Sequence, residues 1–234
     1  MSEYTKSVKC PYCSTNWTIK PLVHGNLNCT NCDNKIRIPK EPTFKKDWLV
    51  FKQKIDDYKI SSLFHFTDES NINSISKGGG LFSWKYCEDN NLNIPKPGGG
   101  DLSRSLDNRK NLPDYVRLGL NYNLPMLYVA LREGRIKNPY IIEIDPMVIL
   151  WEETLFSDEN ATANGAIIGS ELDDFLNINF DIAMKDKYDE NEKKLFQAEI
   201  LVKTFIPYCF IKTWYCHPSF DNTNTEDIDD DLPF

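Results

Sequence analysis

The chain of 234 residues lacks any long apolar run, although 41% of its residues are hydrophobic. No segment approaches the roughly 18 uncharged apolar residues that a membrane-spanning helix needs. The opening MSEYTKSVKC also lacks the apolar core of a secretory signal peptide. We therefore expect a cytoplasmic protein without a membrane partner. In that reducing compartment, its seven cysteines are expected to be metal ligands or buried thiols rather than disulfides.

An overall positive charge is missing too, since the net charge is −8. This balance argues against a generally basic clamp for nucleic acid. The charge is unevenly distributed, however. Residues 1–40 contain six basic and two acidic residues, whereas residues 221–234 contain six acidic residues and no basic one. A basic beginning and an acidic end indicate separate tasks for the two ends of the chain.

Two identical CxxC motifs lie within residues 1–40, with fifteen residues between them. Each motif lets two thiolates converge from one tight turn, and two such turns complete a tetrahedral site for Zn²⁺. We therefore predict a zinc ribbon over residues 1–40, whose structural Zn²⁺ is bound by Cys10, Cys13, Cys29 and Cys32. The lysines of this unit, interleaved with aromatic residues, fit two alternatives equally well: a surface for a nucleic-acid strand, or an ordinary solvated surface.

The rest of the chain has a mixed pattern. Apolar residues at steps of four and three predict an amphipathic connecting helix within residues 41–60. Within residues 61–217, the segments LFHF, YVRLGL, PMLYVAL, YIIEID and FQAEILV read as strands. The irregular stretch 157–195 is too long for an idle connection, so functional loops are expected there. The prediction is an α+β fold whose sheet is built mainly from short antiparallel strands.

Chemically reactive side chains occur in two of these predicted strands. Glu199 lies in the middle of the apolar FQAEILV, where a carboxylate is costly unless it is paired or lines a cleft. His65 and Thr67 are two residues apart, so they point the same way and can present an imidazole and a hydroxyl to one ligand. Taken singly, a glutamate of this kind is more often on the solvated face of a sheet, and a lone histidine is more often structural than catalytic.

Three arginines lie beside a glycine-rich segment at residues 98–100. They are Arg104, Arg109 and Arg117, and the planar fork of an arginine suits a pyrophosphate. The alternative is that they are ordinary surface charges.

In combination, these segments resemble the DarT family, the NAD-dependent ADP-ribosyltransferases that modify nucleic-acid bases and act as toxins of toxin–antitoxin systems. The resemblance covers residues 61–212 and rests on HFTDESNINSI, on the segment from Arg109 into DYVRLGL, and on PMLY, IIEIDPMVI, LFSDENAT and QAEILV. It implies a split antiparallel sheet with flanking helices that clasps NAD. The chain departs from the family pattern around the arginine.

The resemblance also implies roles for individual residues. Glu199 would be the catalytic glutamate and Arg109 the catalytic arginine. The expected NAD-binding residues are His65, Thr67, Asn71, Arg104, Asn160 and Gln197. An antitoxin protein and single-stranded nucleic acid are the implied partners. DNA is favoured over RNA, and a degenerate module that binds NAD or nucleic acid without catalysis is a further alternative.

The final residues, 218–234, are predicted to be a disordered acidic tail. Its end, Asp229, Asp230, Asp231, Leu232, Pro233 and Phe234, resembles the acidic tip of bacterial single-stranded DNA-binding proteins. That tip is bound through its terminal aromatic ring, its carboxylate and its aspartates. We predict that the tail recruits proteins that bind this tip; a tail that covers a basic cleft, or that only solvates the chain, is the alternative.

Overall fold

The computed structural model describes residues 6–10, 12–19, 25–38 and 42–220. The predicted recruiting segment Asp229–Phe234 lies outside these residues. The strands are β1 (Lys6–Lys9), β2 (Asn16–Ile19), β3 (Gly25–Asn28), β4 (Lys35–Ile38), β5 (Leu63–Asp68), β6 (Gly80–Phe82), β7 (Tyr115–Gly119), β8 (Pro139–Ile144), β9 (Leu155–Ser157), β10 (Ile168–Gly169), β11 (Glu199–Lys203), β12 (Phe205–Pro207) and β13 (Ile211–Cys216). The α-helices are α1 (Trp48–Asp57), α2 (Glu69–Gly78), α3 (Trp84–Asp89), α4 (Asp101–Arg109), α5 (Pro125–Arg132), α6 (Leu172–Leu176), α7 (Phe180–Ala183) and α8 (Lys193–Phe196).

The main sheet has seven strands in the order β10-β9-β11-β7-β5-β8-β13, and every neighbouring pair is antiparallel. This confirms the predicted antiparallel α+β architecture. The central strands β5 and β7 are paired only at Phe64 and Gly119, whereas β5 pairs with β8 along its whole length. The sheet therefore opens between β5 and β7 into two halves.

Helix α1 lies within the connecting segment predicted at residues 41–60 and packs on the main hydrophobic core. Its apolar face buries Phe51 and Ile55. Phe51 contacts Phe156 and Phe175, with ring centroids 5.6 Å away in both cases. Burial of each such aromatic side chain contributes about 2–3 kcal/mol. These contacts hold α1 against strand β9 and helix α6.

Helix α2 follows β5 directly. Asp68 is its N-cap, because its carboxylate accepts a hydrogen bond from the backbone nitrogen of Ser70 at 3.1 Å. Gly79 ends the helix in the left-handed conformation, with φ 86°. The direct passage from β5 into α2 brings the Asn71 amide of the helix to 3.0 Å from Thr67 Oγ1 on the strand.

Two predictions about secondary structure are wrong. The segment PMLYVAL is helix α5 and not a strand: Pro125 occupies its first turn, and Leu127 and Ala130, three residues apart, are buried. The strand predicted for FQAEILV begins only at Glu199, because Phe196 ends helix α8. In both segments a short apolar run fits either periodicity, and tertiary packing decides between them.

The stretch 157–195, which looks irregular in sequence, contains short helices, and so do residues 84–112. Residues 84–112 include α3 and α4, and residues 157–195 include β10, α6, α7 and α8. Several of these helices are five residues long or shorter, below the length at which periodicity is readable. Among the residues that the structure describes, no helix is long and apolar enough to span a bilayer.

Candidate active site

A cavity of about 670 Å³ lies where the sheet opens. Its walls come from β5, α2, the segment from β6 to α4, β7, the first turns of α5, the loop between β9 and β10, and the start of β11. Gly119 sits on β7 beside the opening, and any β-carbon there would overlap the side chain of Leu124. Glycine thus allows the chain leading into α5 to close over the strand.

Glu199 is the first residue of β11 and lies opposite Gly119 on β7 and Ser157 on β9. Its Oε2 atom accepts hydrogen bonds from Arg117 Nη1 at 2.6 Å and from the backbone nitrogen of Ala161 at 2.8 Å. Within the described part of the chain, Oε1 has no hydrogen-bond partner. One carboxylate oxygen is therefore held by the protein, and the other is open to the cavity.

Arg117 lies between two carboxylates. Its Nη1 contacts Glu199, and its Nη2 contacts Asp107 Oδ1 from helix α4. Asp107 is buried, with 4% of its surface exposed, so its negative charge needs this partner. The three side chains form a carboxylate–guanidinium–carboxylate cluster in which Asp107 is buried and Arg117 and Glu199 are half-buried. The cluster has one net negative charge when both acids are ionised.

Burial dominates the electrostatics of this cluster. It raises the pKa of Glu199 above its ordinary value, although the charge of Arg117 and the Ala161 N–H act in the opposite direction. Burial likewise raises the pKa of Asp107. For Arg117, burial acts to lower the pKa, but the two carboxylates outweigh it and raise the pKa overall. The guanidinium therefore stays charged.

His65 lies on β5, across the opening from the cluster. Its Nδ1 is 3.0 Å from the carbonyl oxygen of Arg117. Because a carbonyl can only accept, Nδ1 carries the proton, and Nε2 is left as an acceptor. Burial lowers the pKa of His65, which keeps the imidazole neutral near pH 7. The strand edges thus present a neutral histidine on one side and a carboxylate on the other.

Thr67 and Asn71 are buried at one wall of the cavity. The amide of Asn71 donates to Thr67 Oγ1 at 3.0 Å and to the carbonyl of Lys96 at 2.6 Å, and it accepts from the Lys96 backbone nitrogen at 3.0 Å. These bonds attach the loop before the glycines at 98–100 to helix α2. The two residues therefore shape the wall.

The other predicted NAD-binding residues also line the cavity. Arg104 lies over the ring of Trp84 at 5.3 Å, and Gln197 donates to the carbonyl of Lys193 at 3.0 Å. Asn160 Oδ1 accepts from the backbone nitrogen of Thr162 at 3.0 Å. The structure thus brings Arg104, Gln197 and Asn160 to the same cavity as Glu199.

Arg109 is placed elsewhere. It is exposed at the end of α4 and is not among the residues that line the cavity. Arg117 takes the place beside Glu199 instead. The sequence carried a signal for it, because a charge between the buried residues Val116 and Leu118 of an apolar strand needs a partner. Asp107 carried no such signal, since its neighbours are mostly polar.

The four predicted zinc ligands converge at a second site. Cys10 and Cys13 lie in the turn between β1 and β2, and Cys29 and Cys32 lie in the turn between β3 and β4. The ligand atoms of all four lie within 4.8 Å of one another. The sulfur pairs Cys10–Cys32 and Cys13–Cys29 are 3.7 and 3.6 Å apart. A tetrahedral ion with bonds of about 2.3 Å needs sulfurs about 3.8 Å apart, so the cluster can hold one.

The two turns repeat the same backbone geometry. Cys10 and Cys29 each donate a backbone hydrogen bond of 2.9 Å to the residue five positions later. Ser14 and Asp33, each directly after the second cysteine of its motif, have φ values of 59° and 56°. This repetition explains how two short hairpins can present four sulfurs to one point.

An antiparallel sheet that opens over a cavity, with a buried carboxylate at the opening, is the arrangement expected of the predicted transferase class. The family model described as "ssDNA thymidine ADP-ribosyltransferase, DarT" matches residues 64–229. The chain therefore belongs to the DarT family. The match confirms the predicted enzyme class, an NAD-dependent ADP-ribosyltransferase of single-stranded DNA.

Solved structures support the same fold. Thermus sp. 2.9 DarT in complex with ADP-ribosylated ssDNA is 16% identical, with a TM-score of 0.55 over 68% of this chain and 82% of that one. Thermosipho africanus DarTG in complex with ADP-ribose is 24% identical, also with a TM-score of 0.55, over 67% of this chain and 44% of that one. No curated protein matches the sequence significantly.

Proposed function

We propose that the chain transfers ADP-ribose from NAD to a thymine base of single-stranded DNA and releases nicotinamide. The observation that carries the proposal is the position of Glu199, half-buried at the cavity with Oε2 held by Arg117 and Ala161 and Oε1 open. Thymine is the base that the description of the family specifies. The ADP-ribosylated DNA bound to the Thermus relative supports DNA as the acceptor.

The chemistry fits a buried carboxylate. The bond between nicotinamide N1 and ribose C1′ breaks, its electron pair leaves with nicotinamide, and positive charge develops on the ribose. Glu199 stabilises this charge electrostatically. Thymine N3 then forms the new bond to C1′ and loses its proton to Glu199 Oε1. The net negative charge of the cluster of Glu199, Arg117 and Asp107 favours the cationic transition state.

The proposed binding roles follow from position. We assign the arginine role to Arg117 because it contacts Glu199, whereas Arg109 is exposed outside the cavity. His65 would accept a hydrogen bond from an NAD hydroxyl or amide. The further NAD-binding residues of the proposal are Thr67, Asn71, Arg104, Asn160 and Gln197.

Labelled NAD tests the reaction and its alternatives together. The protein is incubated with adenine-labelled NAD and, in separate reactions, with single-stranded DNA that contains one thymine, with the same DNA without thymine, with RNA and with lysate protein. The proposal predicts label in the thymine-containing DNA only. Label in RNA would favour the RNA alternative. NAD binding without transfer to any polymer would favour the non-catalytic module.

The cysteine cluster is proposed to bind structural Zn²⁺, as the spacing of its sulfurs supports. Zinc would supply no chemistry at the cavity, and its role would be to hold the two hairpins together. Elemental analysis tests this: one zinc per chain is expected for the wild type and none for Cys10→Ser/Cys29→Ser.

The predicted partners beyond DNA remain proposals. Resemblance to toxin–antitoxin enzymes supports an antitoxin that controls the chain, which would act in the cytoplasm, where NAD and DNA are both present. Expression of the wild type is then expected to arrest growth and expression of Glu199→Gln to be tolerated. Recruitment through Asp229–Phe234 is tested below by deletion of Phe234.

A further inference from the structure

The terminal fork of Arg117 is divided between two carboxylates from different elements. Nη1 donates to Glu199 on β11, and Nη2 contacts Asp107 on α4. An arginine beside a single carboxylate tends to bind both of its oxygens with this fork. Here it binds only Oε2 of Glu199, because its second nitrogen is occupied by Asp107. The geometry of the fork thus decides which glutamate oxygen is open.

We infer that Asp107 is a positioning residue that keeps Arg117 from covering both oxygens of Glu199, so that Oε1 stays free for the substrates. The inference rests on the proposed function and assigns Asp107 no contact with them. Two further observations support it. Asp107 is 4% exposed, and helix α4, which carries it, lines the same cavity. The Ala161 N–H holds Oε2 from the other side, so Glu199 cannot turn freely.

Three neighbouring elements place charged or polar groups around Glu199. They are Arg117 from β7, Asp107 from α4 and the Ala161 N–H from the loop after β9; His65 from β5 reaches the carbonyl of Arg117. Removal of Asp107 takes one negative charge from this set. It also frees Nη2 to swing onto Oε1. Both changes favour the ionised, fully paired glutamate, which is poorly placed to accept a proton.

The test compares Asp107→Ala and Asp107→Asn with the wild type in the DNA-labelling reaction. Asp107→Ala is expected to lower kcat about 100-fold, with KM for NAD changed less than about threefold, because Arg117 closes over Oε1. Asp107→Asn keeps an acceptor for Nη2 and is expected to lose less, about tenfold. In both variants the fall of kcat on the acidic side of the pH profile, here called the acidic limb, moves to lower pH, because the ionised form of Glu199 is favoured.

Asp114→Asn is the matched control. Asp114 precedes β7 and does not line the cavity; it accepts hydrogen bonds of 2.7 Å from Ser83, which does line it, and from Thr204, which does not. Its variant is expected to keep the kcat and pH profile of the wild type. If folded Asp107 variants behave like this control, the inference is wrong. If Asp107→Ala does not fold, the test rests on Asp107→Asn. An acidic limb of Asp107→Asn at the same pH as that of the wild type would overturn the inference. A wild type that labels no DNA refutes the proposed function instead.

Discussion

At the scale of single residues, the site depends on a glutamate that the fold makes costly to ionise. Burial raises the pKa of Glu199, and Arg117 and the Ala161 N–H only partly offset this effect. Since the proposed reaction needs the ionised form, activity must fall as the pH drops through this raised pKa. The pH profile therefore reports directly on the environment of one side chain.

We predict an acidic limb in the kcat profile that lies above the value of about 4.3 that is typical of an exposed glutamate. Glu199→Gln should remove the limb and lower kcat about 1,000-fold or more, because both the negative charge and the base are lost. Rates from pH 4.5 to 8 measure it. A limb at the ordinary glutamate value would contradict the account.

Substitution of Arg117 and of Arg109 by alanine compares the arginine beside Glu199 with an exposed one. Arg117→Ala should lower kcat by at least about 100-fold, because it leaves the carboxylates of Glu199 and Asp107 buried without their partner. Arg109→Ala should stay within about twofold of the wild type, since Arg109 is exposed. The reverse order of effects in the labelling assay would restore Arg109 as the catalytic arginine.

Arg117 and Arg109 also indicate which residues of the site can be predicted from the sequence. Glu199, His65 and the four cysteines were found because each stands in a motif or in an apolar strand where a polar side chain is unusual. Arg109 was preferred to Arg117 by resemblance alone. The position of Arg117 between two apolar residues of a strand is a local signal that favours it over Arg109. Its partner Asp107 has no such signal, because the contact forms only when α4 packs against β7.

At the scale of elements, the separate two-stranded sheet of β6 and β12, whose strand β6 lines the cavity, depends on a tight backbone contact. Gly80 at the start of β6 pairs with Pro207 on β12 and has φ 152°. A β-carbon there would collide with the carbonyl oxygen of Ile206. Gly134, after α5, also has a positive φ, of 69°, but a β-carbon there would meet no atom within 4 Å.

Alanine substitutions of Gly134 and Gly80 distinguish the cost of backbone strain from the cost of steric overlap. Gly134→Ala should cost about 1 kcal/mol, from its positive φ alone. Gly80→Ala should cost at least about 3 kcal/mol, because β12 must also move away. Urea denaturation of both variants measures the difference. Equal losses would mean that the pairing of β6 with β12 is looser than the structure has it.

The sequence predicted the elements unevenly, and for physical reasons. The ends of helix α2 have local signals in the sequence, because Asp68 caps it and Gly79 stops it. Helix α5 was mistaken for a strand because PMLYVAL is short and mostly apolar. The short helices α6, α7 and α8 owe their existence to packing around Phe175, Phe180 and Phe196, which are buried side chains without readable periodicity.

At the scale of the whole molecule, Tyr12 of the predicted zinc ribbon lies beside the rim of the cavity. The hydroxyl of Tyr12 donates to the carbonyl of Lys77 at 3.1 Å, near the end of helix α2. Ser74 and Gly78 of the same helix line the cavity and are exposed, so they belong to its rim. A DNA strand that enters the cavity past α2 would meet the ribbon.

We predict that Lys35→Glu in the ribbon weakens binding of single-stranded DNA whatever its sequence, and reduces the salt dependence of binding by about one unit of slope. NAD hydrolysis without DNA should be unchanged, as it should be after deletion of residues 1–40. Lys187→Glu, at another exposed lysine, is the control. Anisotropy measurements that show equal binding for both variants would count against a role of the ribbon in DNA binding.

Deletion of Phe234 tests the acidic tail. A tail that imitates the tip of a single-stranded DNA-binding protein should lose its partner, because the terminal ring and carboxylate are the groups that are bound. A solvating or self-inhibiting tail should be little affected by the loss of one aromatic residue. Pull-downs of tip-binding proteins that do not change on deletion would refute the recruitment hypothesis.

The central claim is that Glu199 drives the transfer of ADP-ribose to thymine in single-stranded DNA. Mass spectrometry of an oligonucleotide with one thymine, after incubation with NAD, tests it most directly. The wild type should add one ADP-ribose to that thymine and Glu199→Gln should add none. The two proteins should have the same melting temperature, and both should bind NAD. An unmodified oligonucleotide with the wild type, or equal modification by Glu199→Gln, would contradict the account.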